Sequence, residues 1–187
     1  MIQKFFNKLS RAEFILPSQV AAEIWCGFYP QQKPVRVIPH QIIRETDTDK
    51  TGRLKRLNDP EYRPSIAYLG YESYNKGLET WWRLTSEKRF EHHYTFRHFG
   101  SSGMNLPNVS YLPVSFLEEG PDAMIRSLKK HETDIAFLWS LCPETYSFTL
   151  HEAFSANCFI VTNPFSGNIA AQIQGNSRGI IFNNEKE

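Results

Sequence analysis

Hydrophobic and polar residues alternate in blocks along most of the chain. From Pro64 onward, short apolar runs of strand length recur between segments that have apolar residues at helical spacing. The predicted strands are SIAYLG (65–70), HYTFRHFG (93–100), VSYLP (109–113), DIAFLW (134–139), CFIVT (158–162) and RGIIF (178–182). The predicted helices are KGLETWWRLTSEKRF (76–90), GPDAMIRSLKKHE (120–132), SFTLHEAFSAN (147–157) and SGNIAAQIQG (166–175). This alternation predicts a doubly wound α/β fold, in which a mostly parallel sheet is covered on both faces.

The residues before Pro64 follow a different pattern. An amphipathic segment at the amino end predicts a helix that packs on the rest of the protein, with docking to a membrane surface as the alternative. It is followed by a strand, a helix capped by Ser18 and a second strand, in the segments FILPS (14–18), SQVAAEIWCGF (18–28) and VRVIPH (35–40). Residues 44–63 are rich in charged and turn-forming residues and predict a linker or exposed loop. We therefore predict three units, which comprise residues 1–43, 44–63 and 64–187.

The composition excludes several classes of protein. The chain has 187 residues with a formal net charge of +1, so it lacks the basic field that binding to a nucleic-acid backbone requires. Its three cysteines, Cys26, Cys142 and Cys158, are far apart and predict reduced thiols rather than a disulfide framework. The longest apolar runs, such as Ile135 to Trp139, fall well short of the roughly 20 residues that cross a bilayer. We expect a cytoplasmic protein that does not bind nucleic acid.

Candidate chemistry lies in the loops that follow the predicted strands. A parallel sheet binds ligands beyond the carboxyl ends of its strands, where helix N-termini present free N–H groups. In LGYESYNKG, Gly70 permits a sharp turn at the strand end, and Lys76 and Gly77 then open a helix, so an ammonium and amide groups can face one anion. A glycine and a lysine at such places are also common for purely structural reasons.

The segment SLCPETYSFTLHEAF places two carboxylates around one helix start. Ser147 is a suitable N-cap, and the amides of Phe148 and Thr149 are free to hold a diphosphate. Glu144 and Glu152 can accept hydrogen bonds from sugar hydroxyls on either side. The structural alternative is that Glu144 is a favourable charge near a helix N-terminus and that Glu152 is solvated.

The histidines do not predict a metal site. On one strand, His92 and His98 point to the same face and His93 to the other, so the three cannot share one metal ion. We expect these three to be structural or surface residues, and His151 to be a residue on the surface of its helix rather than a general base. Trp81 and Trp82 are expected in the core or at an interface.

Taken in order, these segments resemble the donor-binding, carboxyl-terminal half of GT-B glycosyltransferases, in particular the retaining family-4 type (glycosyl transferases group 1). The resemblance lies in LGYESYNKG, the glycine-rich turn FGSSG, the segment from DIAFLW to NIAAQI, and RGIIF. Glu144 and Glu152 have the spacing of that family's Glu-x7-Glu motif. The resemblance starts near Phe14, so residues 1–43 are identified as the tail of the amino-terminal half. It implies a Rossmann-like half of a GT-B fold, and we expect the chain to be a fragment of such an enzyme.

The resemblance implies roles for single residues in binding a nucleoside diphosphate sugar. Lys76 contacts the diphosphate and has a catalytic role, while Gly70 and the turn at Gly100 belong to the donor site. Tyr71 stands where that family commonly has an arginine, so one cationic contact is missing. We count Tyr71 among the donor-binding residues.

The second group of implied roles belongs to the Glu-x7-Glu segment. Glu144 contacts the donor sugar and is the other catalytic residue, Glu152 holds the ribose hydroxyls, and the backbone at Ser147, Phe148 and Thr149 caps the diphosphate. Catalysis in such an enzyme is electrostatic, so neither a cofactor nor a metal is expected.

The implied function is transfer of a sugar from a nucleoside diphosphate to a glycan or lipid-linked acceptor, in cell-surface polysaccharide synthesis. The acceptor would bind through the missing amino-terminal half, at or near the inner face of the membrane. Two alternatives remain: a noncatalytic α/β module for nucleotide sensing or protein interaction, and a nucleotide-sugar epimerase of the same fold.

Overall fold

A parallel sheet of six strands forms the centre of the computed structural model, which describes residues 13–31, 35–40, 59–100 and 105–184. Two further strands, β1 (Phe14–Leu16) and β2 (Val35–Val37), pair with each other in parallel as a separate sheet. The strands of the main sheet are β3 (Ser65–Leu69), β4 (Thr95–Gly100), β5 (Val109–Pro113), β6 (Ile135–Phe137), β7 (Phe159–Thr162) and β8 (Gly179–Ile181). Their spatial order is β5-β4-β3-β6-β7-β8, and every neighbouring pair is parallel. The predicted doubly wound α/β fold is confirmed.

In the described part of the chain, helices follow β1, β3, β5, β6 and β7. They are α1 (Gln19–Phe28), α2 (Leu78–Ser86), α3 (Phe116–Glu119), α4 (Ala123–Lys130), α5 (Phe148–Ser155) and α6 (Asn168–Ile173). Ser18 and Ser147 cap α1 and α5, as predicted, because each hydroxyl accepts a hydrogen bond from an amide three residues later. The four-residue helix α3, capped by Ser115, was not predicted.

The predicted helix 76–90 is divided into three pieces. Gly77 adopts a left-handed conformation, with φ +76°, and separates a 3₁₀ turn, Tyr74–Lys76, from α2. A second 3₁₀ turn, Lys88–Phe90, follows Glu87, whose extended backbone ends α2. The helical pattern therefore identified the right segment but missed both breaks.

Two hydrophobic clusters cover the two faces of the sheet. Along β6 and the residues after it, Ala136 and Leu138 belong to one cluster, while Phe137 and Trp139 belong to the other. Trp81 of α2 is fully buried in the second cluster, as expected, whereas Trp82 is half exposed. The double covering explains why the strands of the sheet read as apolar runs in the sequence.

The first described segment is bonded directly to the loop after β6. The Ser18 hydroxyl donates a hydrogen bond of 2.5 Å to the Thr145 carbonyl, and α1 packs against α6. The helix predicted before residue 13 and residues 44–58 of the linker predicted over 44–63 lie outside the described residues, and the domain boundaries stay predictions. No helix within the described ranges is long and apolar enough to cross a membrane.

Candidate functional site

The loops after β3 and β6 meet where the strand order reverses. The chain runs outward from β3 to β4 and β5, then returns to place β6 on the other side of β3. At such a switch point the two following loops diverge and leave a crevice at the carboxyl ends of the strands. A cleft occupies this position, and its polar lining includes Lys76, Ser140, Glu144 and Thr149.

The turn after β3 packs against the end of β4 at two glycines. Gly70 has φ +99°, and its amide donates to the Phe99 carbonyl at 2.8 Å. A Cβ on Gly100 would overlap the Gly70 carbonyl, so a side chain at residue 100 would push the turn away. Gly70 and Gly100 thus lie together, as the predicted donor site requires, while residues 101–104 are outside the described part of the chain.

Beneath this turn lies a buried polar cluster that the sequence did not indicate. The Nε2 atom of His98 lies 2.7 Å from the Gly70 carbonyl oxygen, and its Nδ1 atom lies 3.7 Å from a Glu72 carboxylate oxygen. The Tyr68 hydroxyl donates to the Tyr71 carbonyl at 3.3 Å. Burial raises the pKa of Tyr68 to about 12, so this hydroxyl keeps its proton at neutral pH.

His98 is the one histidine of the predicted group that lies on a strand. Residues 92 and 93 belong to a turn before β4, so the alternation argued for His92 and His93 does not apply. Among the described residues, no group of three His, Cys, Asp or Glu side chains is placed to hold a metal ion.

Lys76 and Glu144 come from different loops and meet in the cleft. The Lys76 Nζ atom lies 3.6 Å from a Glu144 carboxylate oxygen, and the two side chains are 26% and 17% exposed. Lys76 also lies over the ring of Tyr71, 5.5 Å from its centroid. An aromatic face therefore contacts the ammonium at the position where the resemblance implied a second cation.

Backbone hydrogen bonds fix the loop that carries Glu144. The Asn168 amide donates to the Glu144 carbonyl at 2.8 Å, and Glu144 forms an isolated parallel bridge with Gly167. A Cβ on Gly167 would lie 2.6 Å from the Glu144 nitrogen, which only a glycine avoids. The Leu141 amide joins this loop to the other one, since it donates to the Asn75 carbonyl at 2.8 Å.

Helix α5 begins at the cleft. The Ser147 hydroxyl accepts from the Leu150 amide at 3.3 Å and lies 3.1 Å from the Thr149 hydroxyl. Within the described part of the chain, the amides of Phe148 and Thr149 have no hydrogen-bond partner. The Thr149 methyl group lies 3.9 Å from the place of a Cβ on Gly70, so the start of α5 faces the turn after β3. These two amides and Lys76 therefore offer positive charge on one cleft.

Glu152 lies in the second turn of α5 and is partly buried. Burial raises the pKa of this carboxyl, and the positive charge of Lys76 opposes the shift. Its partly buried position differs from the structural alternative of a freely solvated Glu152.

His151 differs from the surface residue that the sequence predicted. It is 7% exposed, and its ring stacks on Tyr146 with centroids 4.6 Å apart. Neither ring nitrogen has a hydrogen-bond partner among the described residues, and burial lowers the pKa of the imidazole. The helical spacing to Phe154, three residues on, was the available signal that His151 lies on the buried face of α5.

A mostly parallel α/β sheet with its cleft at the switch point is the class of structure that the chain defines. No family model matches the sequence, and no curated protein matches it significantly.

Solved structures of glycosyltransferases share the fold. WaaG, a glycosyltransferase involved in lipopolysaccharide biosynthesis, matches 90% of this chain and 48% of its own, at 13% identity and a TM-score of 0.62. A glycosyltransferase from Rickettsia africae ESF-5 matches 99% of this chain and 54% of its own, at 15% identity and a TM-score of 0.64.

The UDP-forming α,α-trehalose-phosphate synthase of Burkholderia vietnamiensis matches 94% of this chain and 49% of its own, at 10% identity and a TM-score of 0.57. The chain spans about half the length of these proteins. It therefore has the fold of one half of a GT-B glycosyltransferase, and the predicted resemblance is confirmed at the level of the fold.

Proposed function

We propose that the chain is the donor-binding half of a retaining glycosyltransferase and that its cleft holds a nucleoside diphosphate sugar. The observation that carries this proposal is the meeting of Lys76, Glu144 and the free amides of Phe148 and Thr149 at the switch point. Lys76 and the two amides suit a diphosphate, because each offers donors and positive charge to an anion.

The two carboxylates suit the hydroxyl groups of the rest of the donor. Glu144 lies beside Lys76 and would accept hydrogen bonds from the sugar, while Glu152, deeper along α5, would accept them from the ribose. In the whole enzyme, Lys76 and the start of α5 would stabilise the charge that develops on the departing diphosphate. This arrangement does not use a metal, and the acceptor would be a cell-surface glycan or a lipid-linked sugar bound by the other half.

Calorimetric titration with UDP, GDP and ADP tests the proposal. We expect one nucleotide to bind, and Lys76→Ala to weaken its affinity roughly 10- to 100-fold, as expected for losing a charge-assisted hydrogen bond. Glu152→Ala is expected to weaken binding of the same nucleotide, because contacts to the ribose are lost. The matched control is Lys129→Ala, which removes an exposed lysine at the end of α4 and should leave affinity unchanged. Equal affinity in the wild type and both site variants would contradict the site assignment.

A noncatalytic module is the second candidate, and Tyr71 is the observation that favours it. Its ring, rather than a second cation, contacts Lys76, which leaves less positive charge for a diphosphate. A chain that binds no nucleotide at millimolar concentration but forms a defined complex with a partner protein would support this candidate over the first. An epimerase would be recognised by isomerisation of a nucleotide sugar without any acceptor.

A further inference from the structure

The lysine proposed to bind the diphosphate forms an ion pair with a carboxylate of the cleft. Lys76 pairs with Glu144 at 3.6 Å, and its charge also acts on the desolvated Glu152. The described part of the cleft therefore has one ammonium group shared between two carboxylates. A phosphate that binds Lys76 must compete with Glu144 for the same hydrogen-bond donors.

Losing Lys76 as a partner is costly for Glu144. Its side chain is only 17% exposed, so water replaces the lost interaction incompletely. The Glu144 backbone is held by Asn168, which leaves side-chain rotation as its means of reaching solvent. A sugar on the terminal phosphate offers the carboxylate new hydroxyl donors, which the terminal phosphate of a bare nucleoside diphosphate lacks.

We propose that Glu144 is a specificity determinant that selects nucleoside diphosphates carrying a hydroxyl-rich sugar over the bare nucleoside diphosphate, because its carboxylate pairs with Lys76. This inference rests on the proposed function, since it takes a nucleotide-sugar as the ligand. It adds a competition between Glu144 and the diphosphate for Lys76, which the position of neither residue in the sequence indicates. Glu144 disfavours the bare diphosphate and favours the sugar-bearing one.

The test compares two ligands on three proteins. The ligands are the nucleoside diphosphate that binds best in the titration above and its sugar ester, for example UDP and UDP-glucose. In Glu144→Gln, which keeps the shape but removes the charge, we expect affinity for the bare diphosphate to rise about three- to fivefold, the range of a partly exposed ion pair. Affinity for the sugar ester is expected to stay equal or fall. The control, Glu118→Gln, changes an exposed carboxylate on α3 and should alter neither affinity.

A second variant keeps the inference falsifiable if the glutamine pairs with the ligand itself. Glu144→Ala should raise the affinity for the bare diphosphate in the same way, and it should lower the affinity for the sugar ester more than the glutamine variant does. A rise in affinity for both ligands would show a general charge effect and overturn the inference, as would weaker binding of the bare diphosphate.

The failure of this inference can be told from failure of the proposed function. If the wild type binds a nucleotide and Lys76→Ala loses it, but Glu144→Gln does not change the preference between ligands, only the role given to Glu144 is wrong. If the wild type binds neither ligand, both proposals are wrong.

Discussion

Gly77 is the residue whose replacement most directly tests the packing of the cleft. It has φ +76° between the 3₁₀ turn that carries Lys76 and the start of α2. Its Cα faces the backbone of Trp139, so that an added Cβ would overlap the Trp139 carbonyl oxygen and lie 2.8 Å from the Trp139 Cβ. Gly77→Ala is therefore expected to destabilise the protein for two separate reasons.

The two contributions can be estimated separately. An alanine forced into the left-handed region costs about 1–2 kcal/mol. Overlap with a backbone carbonyl, which cannot rotate away as a flexible side chain can, adds about 1–3 kcal/mol. The chain contains a matched control in Gly175, which has φ +75° but has no atom within 4 Å of an added Cβ. Gly175→Ala should show the conformational cost alone.

Urea unfolding followed by circular dichroism measures both free energies of unfolding. We expect Gly77→Ala to lose about 1–3 kcal/mol more than Gly175→Ala, with unchanged m values in both variants. Equal losses in the two variants would show that Gly77 does not contact Trp139, and the placement of Lys76 at the cleft would then be wrong as well.

Two further predictions concern buried polar groups. Asp134 is 1% exposed and accepts hydrogen bonds from the Tyr62 hydroxyl at 2.8 Å and the Ser65 amide at 2.9 Å. In urea unfolding, we therefore expect Asp134→Ala to lower the free energy of unfolding by about 3 kcal/mol and Tyr62→Phe to lower it by about 1 kcal/mol. Equal effects of the two substitutions would contradict this assignment. His151→Leu should leave the free energy of unfolding at pH 7 equal or higher, because it removes two unpaired buried nitrogens. Since burial lowers the folded-state pKa of His151 below 6.5, the unfolded state binds the proton more tightly, and stability falls as pH drops from 6.5 toward that pKa. The free energy of unfolding of the leucine variant should therefore decrease less between pH 7 and pH 5 than that of the wild type. An unchanged pH profile would refute the effect.

The sequence predicted the sheet well because its strands are buried on both faces. Every strand of the six-stranded sheet falls within a predicted segment, and the helices predicted between β3 and β4 and from β5 to β8 favour a parallel arrangement. The parallel pairing of β4 with β5 did not follow from that pattern, because no helix was predicted between them. Helix ends were less predictable. The break at Gly77 depends on a close approach to Trp139, a contact between residues that are far apart in sequence.

The position of the candidate site in the fold could be predicted, but the contacts between its residues could not. Parallel strands gather their carboxyl ends at one edge, so loop residues such as Lys76 and Glu144 were expected near each other. The ion pair between them depends on side-chain conformations that no spacing rule describes. The buried position of His98 beside the Gly70 carbonyl likewise depends on the register of β3 with β4, which pairs Tyr68 with His98.

Hydrogen bonds hold the loop that carries Glu144 in place from both sides. The carbonyl of Thr145 accepts from Ser18, and the carbonyl of Glu144 accepts from Asn168, so the first described segment and the start of α6 both fix it. A loop ordered in this way has little conformational entropy left to lose on binding. Changes in affinity after substitution of Lys76 or Glu144 should therefore reflect the chemistry of those side chains rather than ordering of the loop. Ser18→Ala separates side-chain chemistry from ordering of the loop. It should weaken the binding of every nucleotide ligand by the same factor and leave the preference between bare and sugar-bearing diphosphates unchanged.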